Sequence, residues 1–233
     1  MLAVIVNTVV IVLGSLLGCA LGGRLKESHT KTLIAGLGIC TMVIGLTGAL
    51  ATEDILLVIV CLVIGTTVGE LLKIESRLDT VGDWLKAKVA KNSGSRFTEG
   101  FVTASLLFCV GSMAVMGSFD AGLRHDYSTI FAKSALDCIL SVTFAATMGI
   151  GVAFSALSIF LYQGALTLLA GLLAPYLNPQ VVQEMSAVGG VMLVATGLNI
   201  IDLPKVRIKV GNMLPALILP VIWFAVSEWL QTL

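Results

Sequence analysis

Apolar stretches of about 20 residues recur along the whole of this sequence. The first, from residue 2 to residue 22, contains no charged side chain. A helix of about 20 apolar residues is long enough to cross the hydrocarbon core of a bilayer. Only 12% of the 233 residues are charged, whereas soluble domains have about 25%. The chain therefore lacks the polar surface of a soluble protein, and we expect an integral membrane protein.

Eight such stretches are predicted to span the membrane as α-helices, over residues 2–22, 32–50, 55–72, 101–119, 130–149, 151–176, 185–203 and 213–230. Between spans five and six only the sequence Gly149-Ile150-Gly151 marks a break. One helix over both would be roughly 70 Å long, more than twice the hydrocarbon thickness, so a tight hairpin is predicted at these glycines. We predict an all-α fold, with residues 1–233 forming a single polytopic transmembrane bundle.

Basic residues in the connecting segments predict the orientation of the bundle. Lys and Arg near the ends of spans concentrate on the cytoplasmic side of a membrane. With eight spans, the segments after spans one, three and seven lie on one face and carry 12 of the 14 Lys and Arg residues. This face is predicted to be cytoplasmic, and both termini are predicted to lie outside.

The longest connection is predicted to contain an amphipathic helix over residues 74–91. Its apolar residues recur at intervals of three or four, as on one face of a helix: Ile74, Leu78, Val81, Leu85 and Val89. We expect this helix either to lie on the cytoplasmic surface, with Trp84 at the depth of the lipid headgroups, or to extend span three.

Spans two and seven share a pattern of small residues. When Gly38 is aligned with Gly190, Gly45 aligns with Gly197. If spans one to three repeat as spans six to eight, the two copies have opposite orientations in the membrane. Inverted repeats of this kind are typical of transporters whose substrate site lies near the midplane. Chance similarity between helices rich in small residues is the alternative, and the sequence leaves both open.

Polar side chains at membrane depth are the candidate functional residues, because each costs free energy unless it is paired or hydrated. Asp137 lies near the middle of span five, and Lys133 precedes it by one helical turn. The two residues could form a purely structural ion pair. Alternatively, Asp137 lines a hydrated pathway and binds a cation or a proton.

Amide side chains add to this set. Gln163 lies near the centre of span six, and Asn199 lies in the second half of span seven. Asn7 lies in span one, and Asn212 opens span eight. Each alone is more typical of a hydrogen bond between helices. Together with Asp137 they indicate a partly hydrated interior, and we take Gln163 and Asn199 as candidate pathway residues.

Span four contributes two further candidate pathway residues, Ser112 and Asp120, among several glycines. One interpretation is a broken helix that exposes backbone groups to an ion. The other is an ordinary helix that ends at an outer turn.

Three glycines of span one, Gly14, Gly18 and Gly22, recur every four residues. Small residues at this spacing allow close approach of helix backbones and can also form a dimer interface. Packing within one bundle is therefore one interpretation, and a homodimer is the other.

Signals for enzyme chemistry are missing from the sequence. It contains no GxSxG, HExxH, P-loop or dinucleotide-binding motif. The five cysteines include no CxxC pair, so neither a metal site nor a disulfide framework is predicted. The net charge of zero gives no indication of nucleic-acid binding. We expect neither an enzyme nor a bound cofactor.

Several segments resemble a known family. They are FVTASLLFCVGSMAVMGSFDAGL (101–123), AKSALDCILSVTFAATMGIGVAFSA (132–156), YQG (162–164), GLNIIDLPKVRIKVGNMLPAL (197–217) and GELLKIE (69–75). The sequence resembles the YdfK/YqgA-like bacterial inner-membrane proteins of unknown function over nearly its whole length. The resemblance implies a location in the bacterial cytoplasmic membrane and assigns no functional residue.

Two functions from different classes are compatible with these features. The first is a channel or secondary transporter for a small ion or solute, most simply a cation, with a polar site around Asp137 near the midplane. The second is a membrane scaffold or sensor that binds a partner through helix 74–91. A continuous polar cavity that reaches Asp137 would favour transport, and a dry, fully packed bundle would favour the scaffold.

Overall fold

The fold is a bundle of helices, and a computed structural model describes residues 1–22, 27–89, 96–109, 111–174, 176–205 and 207–231. The helices are α1 (Leu2–Gly22), α2 (Glu27–Ala49), α3 (Ile55–Leu72), α4 (Ile74–Val89), α5 (Phe97–Cys109), α6 (Ser112–Leu123), α7 (Ser128–Met148), α8 (Gly151–Leu168), α9 (Ala170–Leu173), α10 (Pro179–Ile200), a 3₁₀ helix (Val210–Leu217) and α11 (Leu219–Gln231). No strand occurs in these ranges.

Seven helical segments of the described chain are long and apolar enough to cross a membrane, and α5 with α6 forms an eighth if this bent pair is one span. The seven are α1, α2 from Lys31, α3, α7, α8, α10 and the segment Val210–Ser227. The prediction of an all-α polytopic bundle with about eight spans is therefore confirmed.

Span four is interrupted in the structure. α5 ends at Cys109, α6 begins at Ser112, and the two are bent by 59° relative to each other. Gly111 between them has a φ of 137°, which a residue with a Cβ rarely adopts. The helix is therefore interrupted here, as a broken span or as a re-entrant loop, and exposure of backbone groups to an ion stays a prediction.

The predicted hairpin between spans five and six is present. α7 ends at Met148, Gly149 has a φ of 83°, and α8 begins at Gly151. A Cβ at Gly151 would collide with the carbonyl oxygen of Phe97. Glycine is thus required for the turn at one position and for close approach to α5 at the other.

The starts of the last two spans differ from the prediction for local reasons, and α8 ends at Leu168, before the predicted end of span six. α10 begins at Pro179, six residues early, since the side chain of Asn178 accepts a hydrogen bond from the Val181 N–H (2.9 Å) and Pro179 suits a first helical turn. The last span opens as a 3₁₀ helix that contains Pro215, a residue without a backbone N–H to donate.

Close backbone contacts at glycines set the directions of the helices. α1 runs parallel to α7, with Gly14, Gly18 and Gly22 against Cys138, Val142 and Ala146 in turn. α2 runs antiparallel to α10, and α3 runs antiparallel to the 3₁₀ helix, where Gly65 lies against Ala216 and Gly69 against Asn212.

The two ends of the bundle differ in charge. We call one the basic end, because it carries most of the described Lys and Arg residues of the connecting segments: Lys73, Arg77, Arg96, Lys205, Arg207 and Lys209. We call the other the acidic end, where the connections carry Glu53, Asp54 and Asp126. The sequence predicts that the basic end is cytoplasmic.

The amphipathic segment forms a helix, α4, whose described part ends at Val89. Lys73 adopts a left-handed conformation (φ 52°), so α4 does not continue α3. α4 packs against α5 and the 3₁₀ helix. Trp84 is 55% exposed, and the Lys88 ammonium lies 4.7 Å from the centre of its ring. The position of α4 at the membrane surface stays a prediction.

The glycines aligned between spans two and seven meet in the structure, in exchanged pairs. Gly38 lies against Gly197, and Gly45 lies against Gly190. A two-fold axis between α2 and α10 would produce this exchange, because it would place each residue against the counterpart of the other. The inverted repeat as a whole stays a prediction.

Candidate functional site

Asp137 lies on the buried face of α7, about midway along the helix. The buried residues of α7 recur every three or four positions: Ile130, Lys133, Ser134, Asp137, Ser141, Phe144, Ala145 and Met148. Asp137 follows the start of the helix by nine residues, or about 14 Å of helical rise. The side chain is only 5% exposed. The sequence thus places a carboxylate in the interior of a membrane-spanning helix.

Lys133 forms an ion pair with this carboxylate. Its ammonium contacts Asp137 Oδ2 from one helical turn away, and its side chain is 8% exposed. The same ammonium lies 5.8 Å from the centre of the Phe108 ring on α5. The Lys133–Asp137 pair that the sequence left open is therefore formed, and the two charges neutralise each other.

Asn7 connects the ion pair to a third helix. Its Nδ2 donates to Asp137 Oδ2 and to Gln163 Oε1, both at 3.1 Å. Asn7 and Gln163 are fully buried. The site is therefore a four-residue polar network that joins α1, α7 and α8, and we call it the Asp137 network: Asn7, Lys133, Asp137 and Gln163.

Two polar atoms of the Asp137 network have no hydrogen-bond partner among the described residues. They are Asn7 Oδ1, an acceptor, and Gln163 Nε2, a donor. An unsatisfied buried polar atom costs about 1–3 kcal/mol. One acceptor atom and one donor atom of the network are therefore not used in hydrogen bonds within it.

A cavity of about 900 Å³ reaches the ion pair. It is bounded by α2, α5, α6, α7 and α10, and it extends from Ala51 and Pro179 at the acidic end to Leu140 and Leu193 at the middle of the bundle. Apart from the ion pair, its polar lining side chains are Thr47, Gln183 and Ser186. The cavity is thus a large, mainly apolar chamber with a few polar groups and an ion pair in its wall.

The cavity also opens at the side of the bundle. Ile44 of α2 and Leu136 and Ile139 of α7 line it, and these side chains are 43%, 52% and 65% exposed. In a bilayer such exposed apolar side chains face lipid. The chamber is therefore accessible from the surface of the bundle between α2 and α7 as well as from the acidic end.

Of the other predicted pathway residues, only Gln163 belongs to the Asp137 network. The amide of Asn199 binds the backbone of Ile208, accepting from its N–H (2.9 Å) and donating to its carbonyl (2.8 Å). Asp120 pairs with Arg124 at 3.3 Å, near the end of α6. The side chain of Ser112 lies outside the described part of the structure. Asn199 and Asp120 therefore already have partners elsewhere in the bundle.

Gly14, Gly18 and Gly22 face α7 of the same chain. A Cβ at Gly18 would collide with the carbonyl oxygen of Val142, and one at Gly22 with that of Ala146. These glycines therefore bring α1 close enough to α7 for Asn7 to reach Asp137. A dimer through the same face would have to displace α7, and a homodimer of any other form stays a prediction.

Two residues of the network were not among the predicted site residues, namely Asn7 and Lys133. Asn7 is the only amide or charged side chain between residues 2 and 22, and this isolation is the signal that marks it. The sequence does not indicate which helix an isolated amide faces, so its contact with Asp137 could not be predicted.

A second polar cluster lies at the basic end and joins α3, α4 and the 3₁₀ helix. Glu70 accepts hydrogen bonds from Lys209 (2.7 Å) and from Asn212. Asn212 Oδ1 accepts from the Glu75 N–H (2.7 Å), and Glu75 Oε2 accepts from the Gly211 N–H (2.5 Å). Burial raises the pKa of Glu75 above its ordinary value. This cluster satisfies groups at helix ends and acts as a structural connection.

Among the residues that the structure describes, no group of three or more His, Cys, Asp or Glu side chains is placed to hold a metal ion. The expectations of no metal, no cofactor and no enzyme activity stay predictions.

Comparison with known proteins places the chain. A protein from Bacillus subtilis (strain 168) described as uncharacterized membrane protein YdfK is 32% identical over 226 residues, which cover 94% of each chain. An Escherichia coli (strain K12) protein described as uncharacterized protein YqgA is 28% identical over 218 residues, or 92% of each chain. No solved structure matches the chain. The expected resemblance to YdfK and YqgA is confirmed.

The family model described as a protein of unknown function, DUF554, matches residues 2–225. With its apolar spans and its similarity to YdfK, this chain is a membrane protein, and it belongs to the DUF554 family.

Proposed function

We propose that this protein is a secondary transporter for a small solute, which binds in the cavity beside Asp137. The observation that carries the proposal is the chamber of about 900 Å³ that leads from the acidic end to a buried ion pair. A membrane protein keeps charged side chains at this depth mainly where they serve a pathway or a relay. A dry, fully packed bundle would favour the scaffold alternative, and the interior beside Asp137 is not fully packed; the chamber there is mainly apolar rather than polar throughout.

The form of the chamber favours a transporter over a channel. It ends at Leu140 and Leu193, near the middle of the bundle. A site that is open to one side at a time is the arrangement that alternating access requires.

The lining of the chamber favours an organic solute over a bare cation as cargo. Sites for small molecules have volumes of about 300–1,000 Å³ and are mostly apolar with a few placed polar groups. A bare cation needs a ring of oxygen ligands, whereas the carboxylate of Asp137 is already neutralised by Lys133. We therefore replace the expected cation with an organic solute.

In this proposal the ion pair recognises the charged group of the solute. An anionic group would bind to the Lys133 ammonium, and a cationic group would bind to the Asp137 carboxylate. In both cases one residue of the ion pair leaves its partner and contacts the solute instead. The cost of separating two buried charges is then offset by the new charge-assisted contact. Asn7 holds the carboxylate in place during the exchange, because it donates to the same oxygen as Lys133.

A flux screen with purified protein in proteoliposomes tests the proposal. The panel contains amino acids, organic acids, amines, Na⁺ and K⁺, each followed as uptake of a labelled compound. We expect uptake of at least one organic solute by the wild-type protein. Uptake of Na⁺ or K⁺ alone would overturn the choice of cargo, and no uptake of any compound by folded protein would overturn transport.

The matched variants are Asp137→Asn and Asp120→Asn, compared at equal amounts of reconstituted protein. Both remove one carboxylate, but Asp120 lies outside the chamber lining. We expect Asp137→Asn to abolish the flux and Asp120→Asn to retain it. Unchanged flux in Asp137→Asn would reject the role of Asp137.

A further inference from the structure

Two smaller cavities adjoin each other at the basic end. The wider one, of about 240 Å³, is lined by Arg96, Glu99, Asn199, Ile200, Asp202, Pro204 and Arg207. The narrower one, of about 20 Å³, shares Glu99, Asn199, Ile200 and Arg207 with it. We call the two together the vestibule. Its wide part carries both signs of charge, including an Arg96–Glu99 ion pair of 3.4 Å.

The vestibule points towards the chamber along the same two helices. Its narrow part reaches Leu106 on α5 and Thr196 on α10. The chamber ends at Leu107 on α5 and Leu193 on α10. Leu193 and Thr196 are three residues apart, which is about 4.5 Å along a helix. The inner ends of the chamber and the vestibule are therefore about one helical turn apart along α10.

The leucine side chains at the facing ends of the two cavities are apolar and buried, and Met192 packs in the same cluster as Leu106. We call this set the apolar layer, and its members are Leu106, Leu107, Met192 and Leu193. Their exposed fractions are 7%, 6%, 1% and 3%. Leu107 and Leu193 belong to one buried cluster, and Leu106 and Met192 to another. A dry apolar constriction of this kind blocks water and polar solutes.

We infer that the chamber and the vestibule are two halves of one solute pathway along α5 and α10, closed in this conformation by the apolar layer. This inference rests on the proposed transport function and adds its route and its gate. Ion pairs occur in the chamber and in the vestibule, Lys133–Asp137 and Arg96–Glu99. The pathway therefore fits a small organic solute that carries at least one charged group. The apolar part of this solute is compatible with the apolar layer.

The break in span four provides a means of opening. α5 carries Leu106 and Leu107 and ends at Cys109, before Gly111 with its φ of 137°. Hinges in transporters and other moving proteins lie at the ends of elements, where a few residues absorb the change in backbone angles. In the inferred pathway, a change of backbone angle at Gly111 would let α5 tilt away from α10 while α6 keeps its packing on α8.

Thiol accessibility tests the pathway without a known solute. Single cysteines replace Ser186, in the chamber, and Glu99, in the vestibule, in a protein whose five native cysteines are changed to alanine. The probe is the membrane-impermeant thiol reagent methanethiosulfonate ethyltrimethylammonium, applied to sealed vesicles of each orientation. We expect Ser186→Cys to react only from the acidic end and Glu99→Cys only from the basic end.

Truncation of the apolar layer gives the decisive measurement. The double variant Leu107→Ala/Leu193→Ala is made in the Glu99→Cys background. We expect the thiol of Glu99→Cys in this variant to react from the acidic end at least tenfold faster than with the layer intact. Leu136→Ala is the matched control, because Leu136 lines the chamber but is 52% exposed at its side, and it should leave the rate unchanged. Leu193→Ala alone, with its thermal unfolding midpoint, is measured alongside in case the double variant does not fold.

Two results would overturn the inference. One is reaction of Glu99→Cys from the acidic end with the layer intact, which would mean that the layer does not close the route. The other is no increase in a folded layer variant, which would mean that the chamber and the vestibule are not connected there. Both results concern accessibility, so they are distinct from a failure of the flux screen.

Discussion

Lys133 and Asp137 form an ion pair within α7, with 8% and 5% of their side chains exposed. A buried pair contributes little net stability, because its attraction is offset by the cost of removing both charges from water. Well-packed apolar residues would serve stability equally well at this position. The pair also lines the large chamber, and the two features together motivate the proposed role in transport.

Variants of the pair should separate stability from transport. Lys133→Met leaves the Asp137 carboxylate without its cationic partner, and we expect it to lower the free energy of unfolding by about 3–5 kcal/mol. The double variant Lys133→Met/Asp137→Leu removes both charges and should recover most of that loss. Unfolding in detergent measures the first effect, and uptake into proteoliposomes should be lost in both variants. Wild-type uptake by the double variant would reduce the pair to a structural role.

Close packing of α1 on α7 predicts a large effect at Gly18. A Cβ at this position would collide with the backbone carbonyl of Val142, which cannot move as a side chain can. We expect Gly18→Ala to lower the free energy of unfolding by about 1–3 kcal/mol. Gly36→Ala is the control, because a Cβ there meets open space, and it should leave stability unchanged or raise it by up to about 1 kcal/mol. Equal effects at the two glycines would contradict the packing.

Glu184 is predicted to hold the connection between α2 and α3. This side chain is only 1% exposed, and it accepts hydrogen bonds from the Thr52 hydroxyl (2.5 Å) and the Glu53 N–H (2.9 Å). Glu184→Ala would leave both donors unpaired, so we expect a loss of about 1–3 kcal/mol in the free energy of unfolding. Glu53→Ala removes an exposed carboxylate but keeps the backbone donor, and it should be neutral. Thermal unfolding of both variants checks this. An unchanged unfolding midpoint in Glu184→Ala would show that the hydrogen bonds of Glu184 do not contribute to stability.

The raised pKa of Glu75 predicts a pH dependence of stability. Burial raises the pKa of this carboxyl in the folded state, so the folded protein binds a proton at pH values where the unfolded chain does not. The contribution of Glu75 to stability is therefore largest below the unfolded pKa of about 4.3 and is lost as the pH rises through the folded pKa. Glu75→Gln keeps an oxygen that can accept from Gly211 and cannot titrate.

The measurement for Glu75 is the unfolding midpoint as a function of pH. We expect the wild-type protein to lose more stability than Glu75→Gln as the pH increases from the unfolded pKa towards neutrality. Glu53→Gln controls for the loss of one carboxylate at the other end of the bundle. Parallel curves for the wild-type protein and Glu75→Gln would contradict the assignment.

Several features of the fold were predictable because they depend on short stretches of sequence. The hairpin at Gly149 follows from helix length and membrane thickness, and α4 follows from the spacing of its apolar residues. The break at Gly111 was one of two open interpretations, since glycine permits a break without requiring one. The start of α10 at Pro179 was missed because polar residues such as Gln183 and Glu184 hide a helix that begins before the apolar run.

The sequence by itself determined that this chain spans a membrane as about eight helices and that Asp137 lies inside one of them. Hydropathy and helical rise decide both, and neither depends on which helices are neighbours. Only the tertiary structure decided that Lys133 neutralises Asp137, that Asn7 and Gln163 join them, and that a mainly apolar chamber lies alongside. The sequence offered the Lys133–Asp137 pair only as one of two possibilities, and the chamber depends on how α2, α5, α6, α7 and α10 pack. The contacts of Asn7 join residues 130 or more positions apart, which leave no periodic signal in the sequence.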